Sequence, residues 1–331
     1  MTDTTAGVAR AAVLVDLAIQ VYSGRKQDKR TQAEVTQSKG AASKRAASVY
    51  KSLFADCKEL EDINKFQARV RAEHYRLTQP WNDYGARLLP TALLMEYKAT
   101  MNRLQNEFEL LVEKFLVKYD TLVAAAAFQL GTLFDRSEYP TRNQVKRKFH
   151  MEVTFAPLPT SGDFRLDIES EVQQDLIDQY EQRAKAQVTA AAQDSWTRLY
   201  EALKRLSDRL VIEEDGRKRI FHDTMVTGAL DLCELLKHMN IMNDPALTKA
   251  TRKLEEVISG VTPKELREED GTRIETKKRV DEILAAFEWG VDTETEEEEA
   301  PASDASQAVG DSGDGASEQP PTADVPVAHV A

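Results

Sequence analysis

Two long stretches of the chain repeat apolar residues at steps of three and four positions, which is the spacing of an amphipathic helix. The first runs from about residue 91 to 134, and the second from about residue 168 to 211. At about 1.5 Å of rise per residue, each helix would be roughly 65 Å long. We expect two such helices to lie along one another, because their apolar sides must be hidden from water.

The first of these helices contains the most regular repeat, an a/d seam that is typical of a coiled coil. Its members are Leu94, Tyr97, Met101, Leu104, Phe108, Leu111 and Phe115. The second helix repeats in its far half, at Trp196, Leu199, Leu203, Leu206 and Leu210. Between these regions, the alanines at 124–127 offer a thin surface that another helix could approach closely.

A third long helix is predicted for residues 43–77, and the segment with Pro80 and Gly85 breaks it. The polar, basic residues 25–45 predict a loop or a weak helix. Shorter helices are predicted over residues 140–149, from Asp223 as an N-cap, from Asp244-Pro245 to Gly260, from Thr262-Pro263, and over residues 272–289. Turns between the long helices favour antiparallel neighbours.

Strict alternation of apolar and polar residues predicts short strands at 13–22, 150–157 and 163–168. A helix over residues 8–22 is the alternative for the first, because alanine is frequent there. Residues 86–89 and 219–221 are further strand candidates. We therefore predict a mainly α protein with a small β element (α+β). Residues 1–290 would form a single elongated antiparallel bundle of long helices with a small sheet-containing head.

The charge of the chain is concentrated at one end. The formal net charge is −12, yet residues 291–331 contain 11 of the 56 acidic residues and none of the 44 Lys and Arg residues. The rest of the chain is therefore close to neutral. The tail has no aromatic residue and cannot bury enough apolar surface to offset the ordering of its backbone. We predict a disordered acidic tail over residues 291–331.

The two cysteines, Cys57 and Cys233, lie among apolar residues in helical patterns, so we expect both to be small core residues in a reducing compartment. The first residues lack the basic start and apolar core of a signal peptide. The longest apolar run, residues 122–128, is far shorter than the ~20 residues of a membrane span. These features predict an intracellular protein without a membrane segment.

Motifs of catalysis and cofactor binding do not stand out in the sequence. We find no phosphate-binding glycine loop, no nucleophile elbow and no metal-binding cysteine or histidine spacing, so we predict no catalytic, cofactor or metal residues and no enzyme. The nearest cluster is Asp231, Glu234 and His238, which could share one helix face. A solvated face with an i,i+4 pair is the favoured interpretation, and a metal site is the alternative.

Two basic segments are candidates for nucleic-acid contact, because unpaired Lys and Arg release counterions from phosphate backbones. Their members are Arg25, Lys26, Lys29, Arg30, Lys39, Lys44, Arg45 and Lys51 in the first, and Arg142, Lys146, Arg147 and Lys148 in the second. Solvated surface charge is the alternative. Trp196 is expected in the core, whereas Trp81 and Tyr84, in a turn, are candidate contacts to a protein partner.

Three segments resemble a protein family of tailed phages and prophages that has no assigned activity. They are residues 15–26 (VDLAIQVYSGRK), residues 77–90 (LTQPWNDYGARLLP), and the region from Tyr139-Pro140 to Phe164-Arg165. The resemblance covers about residues 13–260. Genes of this family can lie near a MoxR-like AAA+ ATPase and a von Willebrand A-type protein. The resemblance therefore implies an adaptor or substrate role beside such a pair, in the host cytoplasm.

Our leading hypothesis is a non-enzymatic, phage-type helical scaffold or adaptor that binds another protein or itself, with an AAA+ ATPase as one candidate partner. The alternative is a nucleic-acid-binding accessory protein of phage replication or recombination. An enzyme would require a cleft in the head with converging polar side chains.

Overall fold

The computed structural model describes residues 2–43, 46–82, 85–158, 170–287 and 289. Within them the protein is mainly helical with a small antiparallel sheet, as predicted. The chain up to Val291 forms one compact unit. The predicted strand at 163–168 and the predicted disordered tail at 291–331 lie outside the described residues.

The elements alternate between strands and helices in the first half of the chain and are all helical in the second. In order they are α1 (Thr2–Ala11), β1 (Ala12–Gln20), β2 (Arg25–Gln27), α2 (Lys29–Ser38), β3 (Tyr50–Ser52), α3 (Lys58–Leu77), β4 (Gln79–Pro80), β5 (Arg87–Pro90), α4 (Leu94–Leu130), α5 (Arg142–Lys146), β6 (His150–Ala156), α6 (Ser170–Leu210), α7 (Asp223–Met239), α8 (Pro245–Ser259), α9 (Pro263–Glu268) and α10 (Asp270–Ala286).

The main sheet has the antiparallel order β4-β5-β1-β6. Its centre is β1, which pairs with β5 through Val13 and Leu89 and with β6 through Leu17 and Val153. The strands predicted at 13–22, 86–89 and 150–157 are therefore confirmed. The helical alternative for residues 8–22 holds only as far as Ala11, where α1 ends.

The first hydrophobic core lies between the sheet, α3 and α4. Val15 and Ile19 of β1 lie in this core with Ile63 and Val70 of α3, in agreement with the alternation of β1 and the helical period of α3. Phe108 of α4 stacks against an α3 ring, Phe66, with centroids 6.2 Å apart. The a/d side of α4 is thus buried, and its neighbour is α3.

The second core is made by helices alone. Leu199, Leu203 and Leu206 of α6 are buried against α7, α8 and α10. The middle of α6 also contacts β4 and α1, where Val188 is buried. The two longest helices thus pack on different neighbours, α4 along α3 and α6 along α10. This corrects our expectation that they lie along one another.

The helix predicted for residues 43–77 begins only at Lys58. Residues 50–52 instead form β3, which pairs with β2. Leu53 continues this pairing by donating its N–H to the Gly24 carbonyl at 2.7 Å. Asp56 adopts a positive φ of 55°, which an α-helix does not accommodate. Residues 29–38 form the short helix α2, capped by Asp28.

Several smaller boundaries also test the sequence patterns. The first long helix is α-helical only from Leu94 to Leu130, because Gly131 has a φ of 51°. The helices expected from Asp244-Pro245 and Thr262-Pro263 are confirmed. Residues 219–221 form no strand; Phe221 is buried in the helical core instead. The N-cap of α7 is His222 rather than Asp223, whose carboxylate pairs with Arg267.

Candidate functional site

The side of α4 that faces away from the core exposes a row of residues, which we call the outer seam. Its members follow one another at steps of four and three: Leu110, Lys114, Val117, Thr121, Ala124 and Phe128. Leu110 is 63% exposed, Val117 64% and Phe128 90%. The outer seam contains no acidic residue and only one charge, that of Lys114.

Charged residues that flank the outer seam are engaged with neighbouring elements. Arg69 of α3 pairs with Glu107, and Lys118 donates to Glu59 at 2.5 Å. On the other flank, Arg142 lies 3.8 Å from Glu113. The hydroxyl of Tyr119, on the buried side, donates to the Pro140 carbonyl at 2.7 Å. These contacts hold α4 in one orientation and leave the outer seam presented to solvent.

A cleft of about 1480 Å³, lined by both charged and apolar residues, lies between α3 and α4 on one side and α6 and α7 on the other. Arg76 at its edge binds two carboxylates, Glu73 at 2.9 Å and Glu96 at 3.2 Å. Arg103 and Arg209 also line the cleft and form no ion pair within the described part of the chain. The cleft joins charges of both signs, and its arginines could bind an anionic group.

The cluster of Asp231, Glu234 and His238 lies along this cleft. Glu234 binds Lys237 at 3.0 Å and lies 3.5 Å from the His238 ring. The hydrogen bond from Lys237 lowers the pKa of Glu234. The i,i+4 pair that the spacing predicted is therefore present. Among the described residues no group of three or more His, Cys, Asp or Glu side chains is arranged to hold a metal ion.

A buried polar network joins α6 to the end of α3. Arg198 of α6 donates to the carbonyls of Tyr75, Arg76 and Thr78 at 2.7–2.9 Å, and so satisfies the last turn of α3. Its Nε binds Asp194 at 2.8 Å. Burial raises the pKa of the Asp194 carboxyl, although Arg198 opposes this shift. The network positions two helices against each other.

His74 and Tyr97 form a second buried polar pair, with the ring Nδ1 2.7 Å from the phenol oxygen. Burial, with a smaller contribution from Arg87, lowers the pKa of His74 to about 4. The imidazole is therefore neutral at pH 7. The sequence offered no signal for this pair, because the two residues come together only when α3 packs on α4.

The structure brings parts of the two basic segments together. Lys148, just after α5, lies over the Tyr22 ring at 5.0 Å, and Tyr22 precedes the turn into β2. Arg25 and Lys26 of β2 are exposed. Lys29, Lys146 and Arg147 are exposed as well, whereas Arg30 pairs with Glu34 and Arg142 with Glu113. A basic surface that includes residues from both segments is thus present.

The structure contradicts the predicted surface roles of two candidate residues, Lys51 and Trp81. Lys51 is nearly buried and binds Glu138 at 2.7 Å, so it does not contribute to the basic surface. Trp81 is 7% exposed and packs in a core with Val8 and Ala191, because the turn that carries it folds under α6. Tyr84, Lys44 and Arg45 lie outside the described residues.

Cys57 and Cys233 are both buried free thiols, as expected. Burial raises the pKa of Cys233 to about 12, so it is not a reactive thiolate. None of the helices in the described part of the chain is both long and apolar enough to span a membrane. No family model, no curated protein and no solved structure matches this chain.

The outer seam was missed in the sequence, although a signal for it existed. The sequence predicts the inner a/d repeat of α4, and the alanines at 124–127 predict a surface for another helix. Of these, Ala124 and Ala125 are exposed, whereas Ala126 is buried. The signal is a second series at residues 110, 114, 117, 121, 124 and 128, and it is weak because Lys114 and Thr121 interrupt its apolar character.

Proposed function

We propose that this protein is a non-enzymatic helical scaffold or adaptor, and that the outer seam of α4 is its docking surface. The observation that carries the proposal is the row of exposed apolar side chains at Leu110, Val117 and Phe128. Single exposed apolar residues are common, whereas large apolar side chains that recur along one side of a helix form a surface suited to an interaction.

The support of α4 strengthens this proposal. Its opposite side is buried along its length, from Tyr97 to Ala126, and its flanks are tied to α3 and α5 by ion pairs. A rigid helix loses little conformational entropy on binding, so its exposed side chains contribute more fully to affinity.

We include in the proposal an elongated antiparallel bundle, which small-angle X-ray scattering would test through the maximum dimension of the particle.

Our proposal for the partner and for the cellular location rests on the resemblance to the phage protein family described above. We propose a phage-type protein of the host cytoplasm that works beside a MoxR-like AAA+ ATPase. An adaptor for such an ATPase requires a surface that a second protein recognises, and the outer seam supplies one of suitable chemistry.

The proposal is tested by co-purification of the full chain with the products of its neighbouring genes. We expect Val117→Glu to abolish the recovery of a specific partner, because a carboxylate in the seam would have to be desolvated on binding. Ile220→Glu is the matched control, because Ile220 is exposed to a similar degree, at 69% against 64% for Val117, but lies outside α4. Equal recovery with wild type and Val117→Glu would contradict the proposal.

A second candidate is a nucleic-acid-binding accessory protein of phage replication or recombination. The observation that favours it is the approach of Lys148 to Tyr22, which extends the basic surface of β2 with a residue from the other basic segment. Exposed Lys and Arg that face solvent without carboxylates can bind phosphate groups, and such binding weakens steeply with salt.

A gel-shift titration across salt concentrations tests this candidate, with the full chain and with a variant that ends at residue 290. We expect the shortened chain to bind more tightly, because the tail carries 11 acidic and no Lys or Arg residues. Lys26→Ala should reduce the salt dependence, and Lys264→Ala, on a distant helix, should not. No binding by the shortened chain at low salt would remove the candidate.

A further inference from the structure

The outer seam has the spacing at which one helix meets another. Its steps of four and three residues are those of a coiled-coil seam, and from Leu110 to Phe128 it extends for roughly 27 Å. On the inner side of α4, Val112 is buried in place of Leu111, so that side follows the ordinary helical period instead. Within the described part of the chain, the inner side has a helical neighbour and the outer seam has none.

We propose that the outer seam pairs with the same seam of a second copy of this chain, with the two α4 helices antiparallel. This inference rests on the proposed function and names the partner for its docking surface. About a two-fold axis at the level of Tyr119, Leu110 of one copy lies opposite Phe128 of the other. The same axis places Val117 opposite Thr121 and Lys114 opposite Ala124.

The charges of the seam favour the antiparallel orientation. Parallel pairing in register would place Lys114 against Lys114, and the two ammonium groups repel each other. Antiparallel pairing instead places Lys114 opposite the small Ala124, where its charged end can reach water.

The size of the seam sets the strength of the dimer. One face of a helix of this length buries on the order of 600 Å² per copy, at the lower end of the range for specific complexes. Three large apolar side chains per copy enter the interface, of which Phe128 is the most exposed at 90%. Because the seam contains no carboxylate, pairing desolvates no acid. We expect a dissociation constant on the order of 10 µM.

Sedimentation equilibrium of the full chain measures this directly, over concentrations from well below to well above about 10 µM. We expect the mass to rise from monomer to dimer with concentration. Val117→Glu and Phe128→Glu should each raise the dissociation constant at least about tenfold, since each places two carboxylates in the interface. Ile220→Glu should leave it unchanged, and circular dichroism should confirm that every variant is folded.

Cysteine cross-linking tests the orientation. Leu110→Cys and Phe128→Cys are made separately, and the native Cys57 and Cys233 do not interfere because both are buried. Under mild oxidation we expect a disulfide dimer from the mixture of the two variants and none from either alone. Dimers from each variant alone would indicate parallel pairing and overturn the proposed register.

The inference and the function on which it rests fail in different ways. A wild-type chain that stays monomeric at all concentrations overturns the pairing with a second copy. If Val117→Glu then still loses a partner of another kind, the outer seam remains a docking surface. If Val117→Glu changes neither self-association nor partner recovery, both the inference and the proposed function are overturned.

Discussion

The two long helices α4 and α6 differ in what their solvent sides contain. α6 exposes polar residues along most of its length, including Gln182, Arg183 and Lys185, and Val172 is the one large apolar residue that is exposed among its described side chains. α4 exposes Leu110, Val117 and Phe128. The apolar surface of α6 is thus covered within the chain, whereas that of α4 extends to both sides. This difference is the reason for our proposal that α4 meets a partner outside the chain.

The helix ends show the same difference. The last carbonyls of α6, those of Arg209 and Leu210, accept hydrogen bonds from the guanidinium of Arg273, which is 1% exposed. Arg273 also binds the carbonyls of Leu266 and Arg219 at 3.0 and 2.9 Å. α4 ends instead at Gly131, and no side-chain donor to its last carbonyls is found among the residues that the structure describes. The C-terminal helical core is therefore internally satisfied to a greater degree than the outer side of α4.

The largest effect is expected at the capped end of α6. Arg273→Met would leave four carbonyls without their donor, two of them in buried and two in partly buried hydrogen bonds, and we expect a loss of about 4 kcal/mol in the free energy of unfolding. Urea unfolding measures it. Arg279→Met on the same helix is the matched control, because Arg279 is exposed, and should change stability little. A small loss for Arg273→Met would show that the guanidinium does not hold this end.

The buried side of α6 gives the next effect. Leu203→Ala removes a fully buried side chain and should cost about 3 kcal/mol, from lost burial and the cavity that remains. Leu110→Ala on the outer seam should cost less than about 0.5 kcal/mol in the monomer. Thermal and urea unfolding of both variants at low concentration measure the contrast, and similar losses would contradict the assignment of an exposed seam.

The buried pair of His74 and Tyr97 makes the inner side of α4 sensitive to acid. The folded-state pKa of His74 is lowered to about 4, so as the pH falls from about 6.5 to 4 the unfolded chain binds a proton that the folded chain does not. Stability should fall over this window, by up to roughly 3 kcal/mol. The free energy of unfolding is measured at pH 7 and at pH 4 for both proteins. Between these two pH values the variant His74→Gln should lose less stability than the wild type, by the same roughly 3 kcal/mol. An equal loss in both proteins would contradict it.

The smallest effect is expected at Phe128, the most exposed large apolar residue among those that the structure describes. Phe128→Ala should change the stability of the monomer by less than about 0.5 kcal/mol, although it removes a whole ring. Phe108→Ala, on the buried side of the same helix, should cost about 3–5 kcal/mol. Differential scanning calorimetry at low concentration compares them. A large loss for Phe128→Ala would mean that the ring is covered within the monomer.

The elements that local patterns predicted well are those whose burial follows their own period. The limits of α6, the strands β1 and β6, and the helices that begin at Asp244-Pro245 and Thr262-Pro263 agree with the spacing and capping residues of their segments. The predicted start of α3 at residue 43 was wrong, because residues 50–52 pair with β2, which lies more than twenty positions away in the chain. No local period records such a pairing.

The candidate site was predicted only in part. The basic residues were identified individually, but the approach of Lys148 to Tyr22 and the burial of Lys51 depend on how α5 and β3 pack. Trp81 was expected at the surface because turns are usually exposed, and α6 covers it. Predicting the outer seam would have required knowing which side of α4 faces α3.

What could be read from the residue order was where helices and strands form, because hydrophobic periodicity and capping groups act within a few neighbouring residues. Packing in three dimensions decided which helices are neighbours: α4 packs on α3, and α6 packs on α10. It also gave Arg198, Arg273 and His74 hydrogen-bond partners from distant segments. An amphipathic pattern shows that a side must be buried. It does not show what buries it, and one apolar row on α4 was left over.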